Sequence, residues 1–579
     1  MYRNPAIFLL VLLPFLSCVK EGADDGKGGN NEPPVSLNWT VSGTVKGDDY
    51  KPIEGVVVSD GLSCVKTDAQ GNYRIDVDLS GDLSENLRHV FVSTPKGWAA
   101  PMTDQGPVFW KWLKDYRKND EGKITGVDFT LTRIANPDRF SILIFGDPQT
   151  RSKRNSDYDA SAYHSVDICD DMFKDMGECA ATMSDRPVYG IGLGDIGHRY
   201  PDFLTAYRKK MAAAGIICYS IIGNHDQTDD EGNNDVEMTD EESSRTYEKR
   251  MGPSNYSFNL GDLHFLMLDN MIIERKATGT TTDGCITGLT DDIWTFAKND
   301  LKLVPSTATI MVCAHSPMFK MLGGKDRSGT HLADLRAELR RFNKVYAWAG
   351  HTHTTFNYYE EGSNLEVHTM PRVTGALWTN EYLSENGTPR GYLVFDYDDG
   401  DIRWHFKPTF WQQKPHCQAA TPSKVPSYDY RDWDYDASGR AVLKTGENLT
   451  DAYQMQVFAP GTYETGDRTV YANIFFWDEA WQMPLFQPKK GSPWYPMTRE
   501  SLSYSWADRV VRHFYAMTYD SLRKDWYGST YTGTDYPNSK KTNCVTMFSY
   551  KINSNDQHGK GTVKVIDRFG NVYTSDVTW

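Results

Sequence analysis

Five short apolar runs, each stopped by a cluster of polar residues, constrain this chain more than any other feature. They are Phe140 to Phe145, Val188 to Leu193, Ile216 to Ile222, Ala308 to Ala314 and Val345 to Ala349. Runs of this length suit strands buried on both faces of a parallel sheet. The clusters that end them are Gly146-Asp147-Pro148-Gln149, Gly194-Asp195, Gly223-Asn224-His225-Asp226, His315-Ser316-Pro317 and Gly350-His351-Thr352-His353. Asn, Asp and His are poor core residues, and open α/β sheets carry their chemistry on loops at the carboxyl ends of their strands. Helical spacing recurs between the runs. Asp202 to Ala214 sets Phe203, Tyr207 and Met211 on one face with Asp202 as cap, and His331 to Phe342 buries Leu332, Leu335, Leu339 and Phe342. This alternation predicts βαβ units. Ser254 to Asn270 and Arg390 to Lys407 read as hairpins, the second turning at Asp399-Gly400. Asp229 to Glu242 is acidic and without period, and reads as a surface loop or a lid.

The ordered set of clusters resembles the calcineurin-like metallophosphoesterase superfamily, over about Asp138 to Pro408. The resemblance implies a four-layer α/β/β/α sandwich and two metal ions. Phosphate esters resist hydrolysis because their anionic oxygens repel a nucleophile. Two metals about 3.5–4 Å apart neutralise that charge and lower the pKa of a bound water from 15.7 toward about 7. By resemblance, Asp147, Gln149 and His353 serve the first metal, Asp195 bridges, and Asn224, His315 and His351 serve the second. The same resemblance gives a dinuclear-metal-activated hydroxide as nucleophile, with His225 assisting the leaving oxygen. The mixed oxygen and imidazole donors suit manganese, iron or zinc. Phosphate monoesters and diesters use the same motifs, so the substrate reading stops at a small phosphorylated molecule. Two positions depart from the family pattern. Gln149 stands where a His ligand is common, and His198 stands where an Asp orients the catalytic His. Asp226 is then the candidate to support His225, or else His198 itself contacts substrate or metal. Arg390 and Lys320 are read either as contacts to substrate phosphate or as surface charges, and Trp378 as a wall of the cleft.

A chain of 579 residues exceeds one ordinary core, and the flanks of the central segment have their own character. Residues 1–18 read as a lipoprotein signal peptide: Arg3, an apolar run from Ala6 to Leu16 too short to span a bilayer, then Phe15-Leu16-Ser17-Cys18. Cys18 is the expected lipid anchor, placing the protein at the bacterial envelope, and residues 19–36 are a polar tether. Residues 37–133 are rich in short strands and resemble a transthyretin-like β domain; residues 138–408 are the candidate phosphoesterase domain. Residues 409–579 read as a C-terminal β sandwich, resembling the extra domain of exported calcineurin-like enzymes. That last segment holds eight of the 16 tryptophans, which supports a second reading: a degenerate metal site on a surface lipoprotein that binds a glycan. A formal net charge of −15 argues against a nucleic-acid scaffold. The nine cysteines show no zinc spacing, and Cys218 and Cys313 read as core thiols.

Overall fold

The computed structural model describes residues 38–579 apart from 152–158, 234–235, 275–283, 376–383, 385, 387, 410–432, 436–440, 444–453, 461–465, 501–544 and 554–558. The leader, the tether with Cys18, and Trp378 lie outside the described residues. The fold is mixed α/β and rich in sheet.

The expected strands all form, and they sort into two sheets. In the first, Ile217–Ser220, Val188–Gly192 and Arg139–Phe145 run parallel, followed by the antiparallel hairpin Gly391–Asp398 and Asp401–Pro408. In the second, Leu263–Leu268, Thr309–Ala314, Lys344–Ala349 and Leu365–Thr369 run parallel, with Tyr256–Leu260 and Phe356–Tyr358 at the edges. Alternation along one strand decides what each face packs against. Ile142 and Ile144 join a core shared with Phe265, Met267, Ile310 and Val312 of the other sheet. Leu143 and Phe145 join a separate cluster with Met172, Phe173 and Met176 of helix α1 (Asp159–Thr182) and Phe203, Leu204 and Tyr207 of α2 (Pro201–Ala213). On the second sheet, Phe296 and Leu301 of α4 (Asp291–Leu301) and Leu335 and Leu339 of α5 (Leu332–Leu339) are fully buried.

Three local expectations are corrected. Asp202 does not cap α2: the helix opens on Pro201 after Tyr200, with no side-chain cap bond. Proline suits that first position because its missing N–H would have no helical partner. The acidic segment ends in a helix, α3 (Asp240–Met251), where Thr239 and Glu242 form a reciprocal capping box. His331 is outside α5, at φ 58°.

The flanking strands are joined to the central sheets by specific contacts. From the N-terminal side, Ser93 Oγ accepts from Ser257 Oγ at 2.9 Å, and Lys96 pairs with Asp138 at 2.6 Å and Asp262 at 2.8 Å. Eight of the described C-terminal strands form two four-stranded sheets around Val470, Ile474, Phe486, Phe548 and Val563. Arg568 reaches back to pair with Glu366 of the second central sheet, and Asn357 Nδ2 donates to the carbonyl of Phe476 at 2.8 Å.

Candidate metal centre and active site

Backbone hydrogen bonds join neighbouring loops at the strand ends. Asp147 N–H donates to the Gly194 carbonyl at 3.2 Å, Gln149 N–H to the Asp195 carbonyl at 2.8 Å, and Gly350 N–H to the His315 carbonyl at 2.9 Å. Carboxylates are aimed the same way: Asp195 Oδ1 accepts from His225 N–H at 2.9 Å, and both oxygens of Asp147 accept from His351 N–H at 3.0 Å. This crowding explains the glycines. A Cβ on Gly350 would lie 2.4 Å from Asp147 Oδ2, and one on Gly223 would lie 2.3 Å from Asp195 Oδ1. It also strains the backbone. Six of the eleven described non-glycine residues with positive φ are here: Asp147, Gln149, Asp195, Arg199, His351 and His353. Left-handed backbone costs roughly 1–2 kcal/mol per such residue, and strain of this kind gathers at functional sites.

The side chains converge as two nests that share Asp195. In one, His315 Nε2 lies 3.2 Å from Asp195 Oδ1 and 3.1 Å from Asn224 Oδ1, while His351 Nδ1 lies 3.1 Å from the same Asn224 oxygen and 3.2 Å from His315 Nε2. In the other, His353 Nε2 lies 3.5 Å from Asp147 Oδ1, and Gln149 Nε2 donates to Asp195 Oδ2 at 2.8 Å. Ligand atoms of Asp147, Asp195 and His315 all fall within 4.8 Å of one another. His315 is oriented from behind by the Leu193 carbonyl, 2.7 Å from Nδ1, which leaves Nε2 facing the other donors.

One atom tests whether this donor set fits a metal. Gln149 is fully buried, and its Oε1 has no hydrogen-bond partner. An unsatisfied buried carbonyl costs about 1–3 kcal/mol, and a cation held beside Asp195 would satisfy it. The remaining donors are carboxylate, amide oxygen and imidazole, the classes that manganese, iron and zinc accept. The residues fit the group.

The protonation directions follow from the same crowding. Burial opposes charge on His315, but Asp195 and Asp147 outweigh it and push the imidazole up to about 10. Burial alone would raise Asp195; His315 and His225 hold its carboxyl well below the usual range. Burial, then the charge of His315, pushes His351 down to about 4. Burial lowers His225, and burial with the His225 and Arg151 charges takes His198 down to about 2.

Asp226 is one of the two candidates to support His225, and the structure gives its carboxylate other hydrogen-bond partners. It accepts three backbone N–H bonds, from Gly197 at 2.8 Å and from Ile196 and Gly223 at 3.1 Å. It fastens the loop carrying Asp195 to the loop carrying Asn224. Burial and the Asp195 charge still raise it to about 7. Nor is Arg390 a surface charge, being 1 % exposed. Lys320 pairs with Asp326 at 2.7 Å over the Tyr358 ring. The sequence reading missed three residues that hold the loops. Arg372 reaches the carbonyls of Pro148 and Gln149, both at 3.4 Å, joined by Thr374 to Pro148 at 3.0 Å. Asn270 pairs with Ser316, donating to its carbonyl at 2.6 Å and accepting its N–H at 3.0 Å, next to His315.

Comparison with known proteins adds the following. A family model described as the N terminal of calcineurin-like phosphoesterase matches residues 39–134, and one described as the C terminal of calcineurin-like phosphoesterase matches residues 367–573; together they take in more than half of the chain. Among solved structures, a purple acid phosphatase from yellow lupin (Lupinus luteus) seeds is similar at 11 % identity and a TM-score of 0.30, over 62 % of this chain and 67 % of its own. Vacuolar Protein Sorting 29 from Cryptosporidium parvum is similar at 8 % identity and a TM-score of 0.21, over 46 % of this chain and 97 % of its own. Likeness at that level carries no argument about activity. A search of curated proteins found no match.

Proposed function

The chain belongs to the calcineurin-like metallophosphoesterase superfamily, and from that premise we propose that it hydrolyses a phosphate ester at a dinuclear metal centre. The observation that carries this reading is the pair of donor nests joined at Asp195, with the buried Gln149 Oε1 left for a cation. Asn224, His315, His351 and Asp195 would hold one ion, and Asp147, Gln149, His353 and Asp195 the other. Bound there, the ions supply charge neutralisation at the phosphoryl oxygens and acidify a water to serve as nucleophile. The chain's own residues do the rest. Asp195 and Asp147 are held in place by backbone N–H groups, so the donors need no rearrangement. His225, its Nε2 4.0 Å from Asp195 Oδ2, lies beside the nests and is 27 % exposed. Its ring offers an N–H to the oxygen that leaves phosphorus.

The proposal extends to architecture and place. The sorting of side chains into two clusters supports a four-layer α/β/β/α core over 138–408, between a transthyretin-like domain at 37–133 and a sandwich at 409–579. The leader and Cys18 support an exported, lipid-anchored protein. No helix among the described residues is long and apolar enough to cross a membrane. The glycan-binding alternative rests on the tryptophan-rich C-terminal segment, where half-buried Trp494 lies under Lys564 and the adjacent Tyr495 is exposed.

Hydrolysis of p-nitrophenyl phosphate and bis-p-nitrophenyl phosphate tests the reading, using metal-stripped protein reloaded with Mn²⁺, Zn²⁺ or Fe²⁺. We expect metal-dependent cleavage, reduced about 10²–10⁴-fold in His225→Ala and lost in Asn224→Ala. Turnover that ignores metal removal, or survives both substitutions, would reject it. Binding of a glycan array by a protein with no turnover would favour the alternative.

A further inference from the structure

His225 is the group expected to meet the leaving oxygen, yet no hydrogen bond among the described residues fixes its ring. Its backbone is held: the N–H donates to Asp195 Oδ1 at 2.9 Å, and the carbonyl accepts from Arg199 N–H at 3.1 Å. Those bonds set where the side chain starts, not how its ring is turned. Among the described residues the ring's one aromatic contact is with His198, the centroids 4.2 Å apart and the planes tilted by 34°.

His198 is itself well placed to act as a wall. It ends the short strand Gly197–His198, which pairs in parallel with Thr150–Arg151, so that Arg151 is the register partner of His198. That strand continues directly from the loop that Asp226 fastens through Ile196 and Gly197. Thr150 follows Gln149, and its N–H donates to the Ile196 carbonyl at 3.1 Å. The backbone that carries the His198 ring is therefore tied to both sides of the donor nests.

We propose that His198 is a positioning residue for His225, fixing its ring plane by stacking rather than by a hydrogen bond. This rests on the phosphoesterase reading above and adds a specificity to it. The ring contact takes up neither nitrogen, and His225 Nε2 stands 4.0 Å from Asp195 Oδ2, beyond hydrogen-bond distance, so the ring can present an N–H to a leaving oxygen without breaking a hydrogen bond to a carboxylate. The effect belongs to esters whose leaving alcohol needs help. A nitrophenolate departs with little assistance, while an alkyl alkoxide does not, so the two esters separate orientation of His225 from general damage.

The test compares p-nitrophenyl phosphate with an alkyl phosphate, here glycerol 2-phosphate, in the metal-loaded full-length protein. For His198→Ala we expect kcat on the alkyl ester to fall about tenfold, KM to move less than about threefold, and the nitrophenyl ester to be nearly unaffected. His198→Phe keeps a ring and should recover most of the loss. The double variant with His225→Ala should be no worse than His225→Ala alone, because the two act as one unit. Equal losses on both esters, or additive losses in the double variant, would overturn the proposal. A neutral His225→Ala would instead overturn the phosphoesterase role of that residue, and the proposal with it. A second measurement does not depend on turnover. The NMR signals of the His225 ring in the metal-free protein should report one fixed orientation in the wild type and in His198→Phe, and averaging in His198→Ala. A ring that stays fixed in His198→Ala rejects the role.

Discussion

Glu366 and Asp195 are buried to nearly the same degree, at 2 % and 1 % exposure, yet their surroundings are opposite. Glu366 lies at the junction with the C-terminal sheets. It is met by Lys344 Nζ and Arg568 Nη1, each at 2.5 Å, with His368 Nε2 at 3.4 Å. Arg568 turns its other nitrogen to Asp478, an ion pair at 2.7 Å that lacks hydrogen-bond alignment. The guanidinium is flanked by Trp404 and Tyr359. Asp195, like Asp147, has no Lys or Arg partner among the described residues; its neighbours are imidazoles and an amide. The junction pairs its buried charge within the protein, and such pairs join elements without leaving work for a ligand. The centre gathers donors whose lone pairs point at each other, and that arrangement is completed only by a proton or a cation. His315, pushed up to about 10, shows the first option.

The sharpest way to break this contrast is to remove one charge from each region. Asp195→Ala should abolish activity and lower metal affinity by well over the 10–100-fold typical of outer-shell changes, while the metal-free protein stays folded by circular dichroism. Arg568→Met should do the reverse. It leaves Glu366 and Asp478 buried with one cation fewer, costs about 3–5 kcal/mol in chemical denaturation, and leaves metal bound per folded chain unchanged. Loss of metal in Arg568→Met, at a temperature where the protein is folded, would show that the two regions are not separate.

The junction also has a pH signature. Burial would raise Glu366, but His368, Arg568 and Lys344 hold its carboxyl far below the ordinary range. A depressed folded-state pKa contributes stability above the unfolded value of about 4.3 and loses it as pH falls further. The Tm difference between wild type and Glu366→Gln should therefore be full at pH 7 and shrink below about pH 4.5. A constant difference down to pH 3 would contradict the ion-pair account. The smallest effect should come from exposed charge. Asp230 bonds Lys249 at 2.8 Å and Arg250 at 3.0 Å on the outside of α3, and Lys249→Ala should shift stability by less than about 1 kcal/mol.

The donor residues were legible in the sequence because an apolar strand that stops at Gly-Asp or Gly-His leaves those side chains nowhere to go but the sheet edge. The hairpins around Leu260 and Asp399 were legible for their period and turn residues. Helix α3 was not. Its sequence is polar, and Ser243, Ser244 and Thr246 are buried beside Tyr247, so no apolar stripe marks it. The residues that hold the loops left no local trace either. Arg372 acts on a carbonyl 224 positions away, Asn270 on a backbone 46 positions away, and Arg568 on a carboxylate 202 positions away. The loop-fastening bonds of Asp226 were not legible either, because its three partners are backbone N–H groups, which no sequence motif displays.

The most direct test of the contrast is the metal content of the folded protein, measured by equilibrium dialysis against Mn²⁺ or Zn²⁺ with elemental analysis. The donor nests predict close to two ions per chain in the wild type and in Arg568→Met, and one or none in Asp195→Ala. A folded wild-type protein that binds no ion, or an Asp195→Ala protein that binds as many as the wild type, would contradict the account.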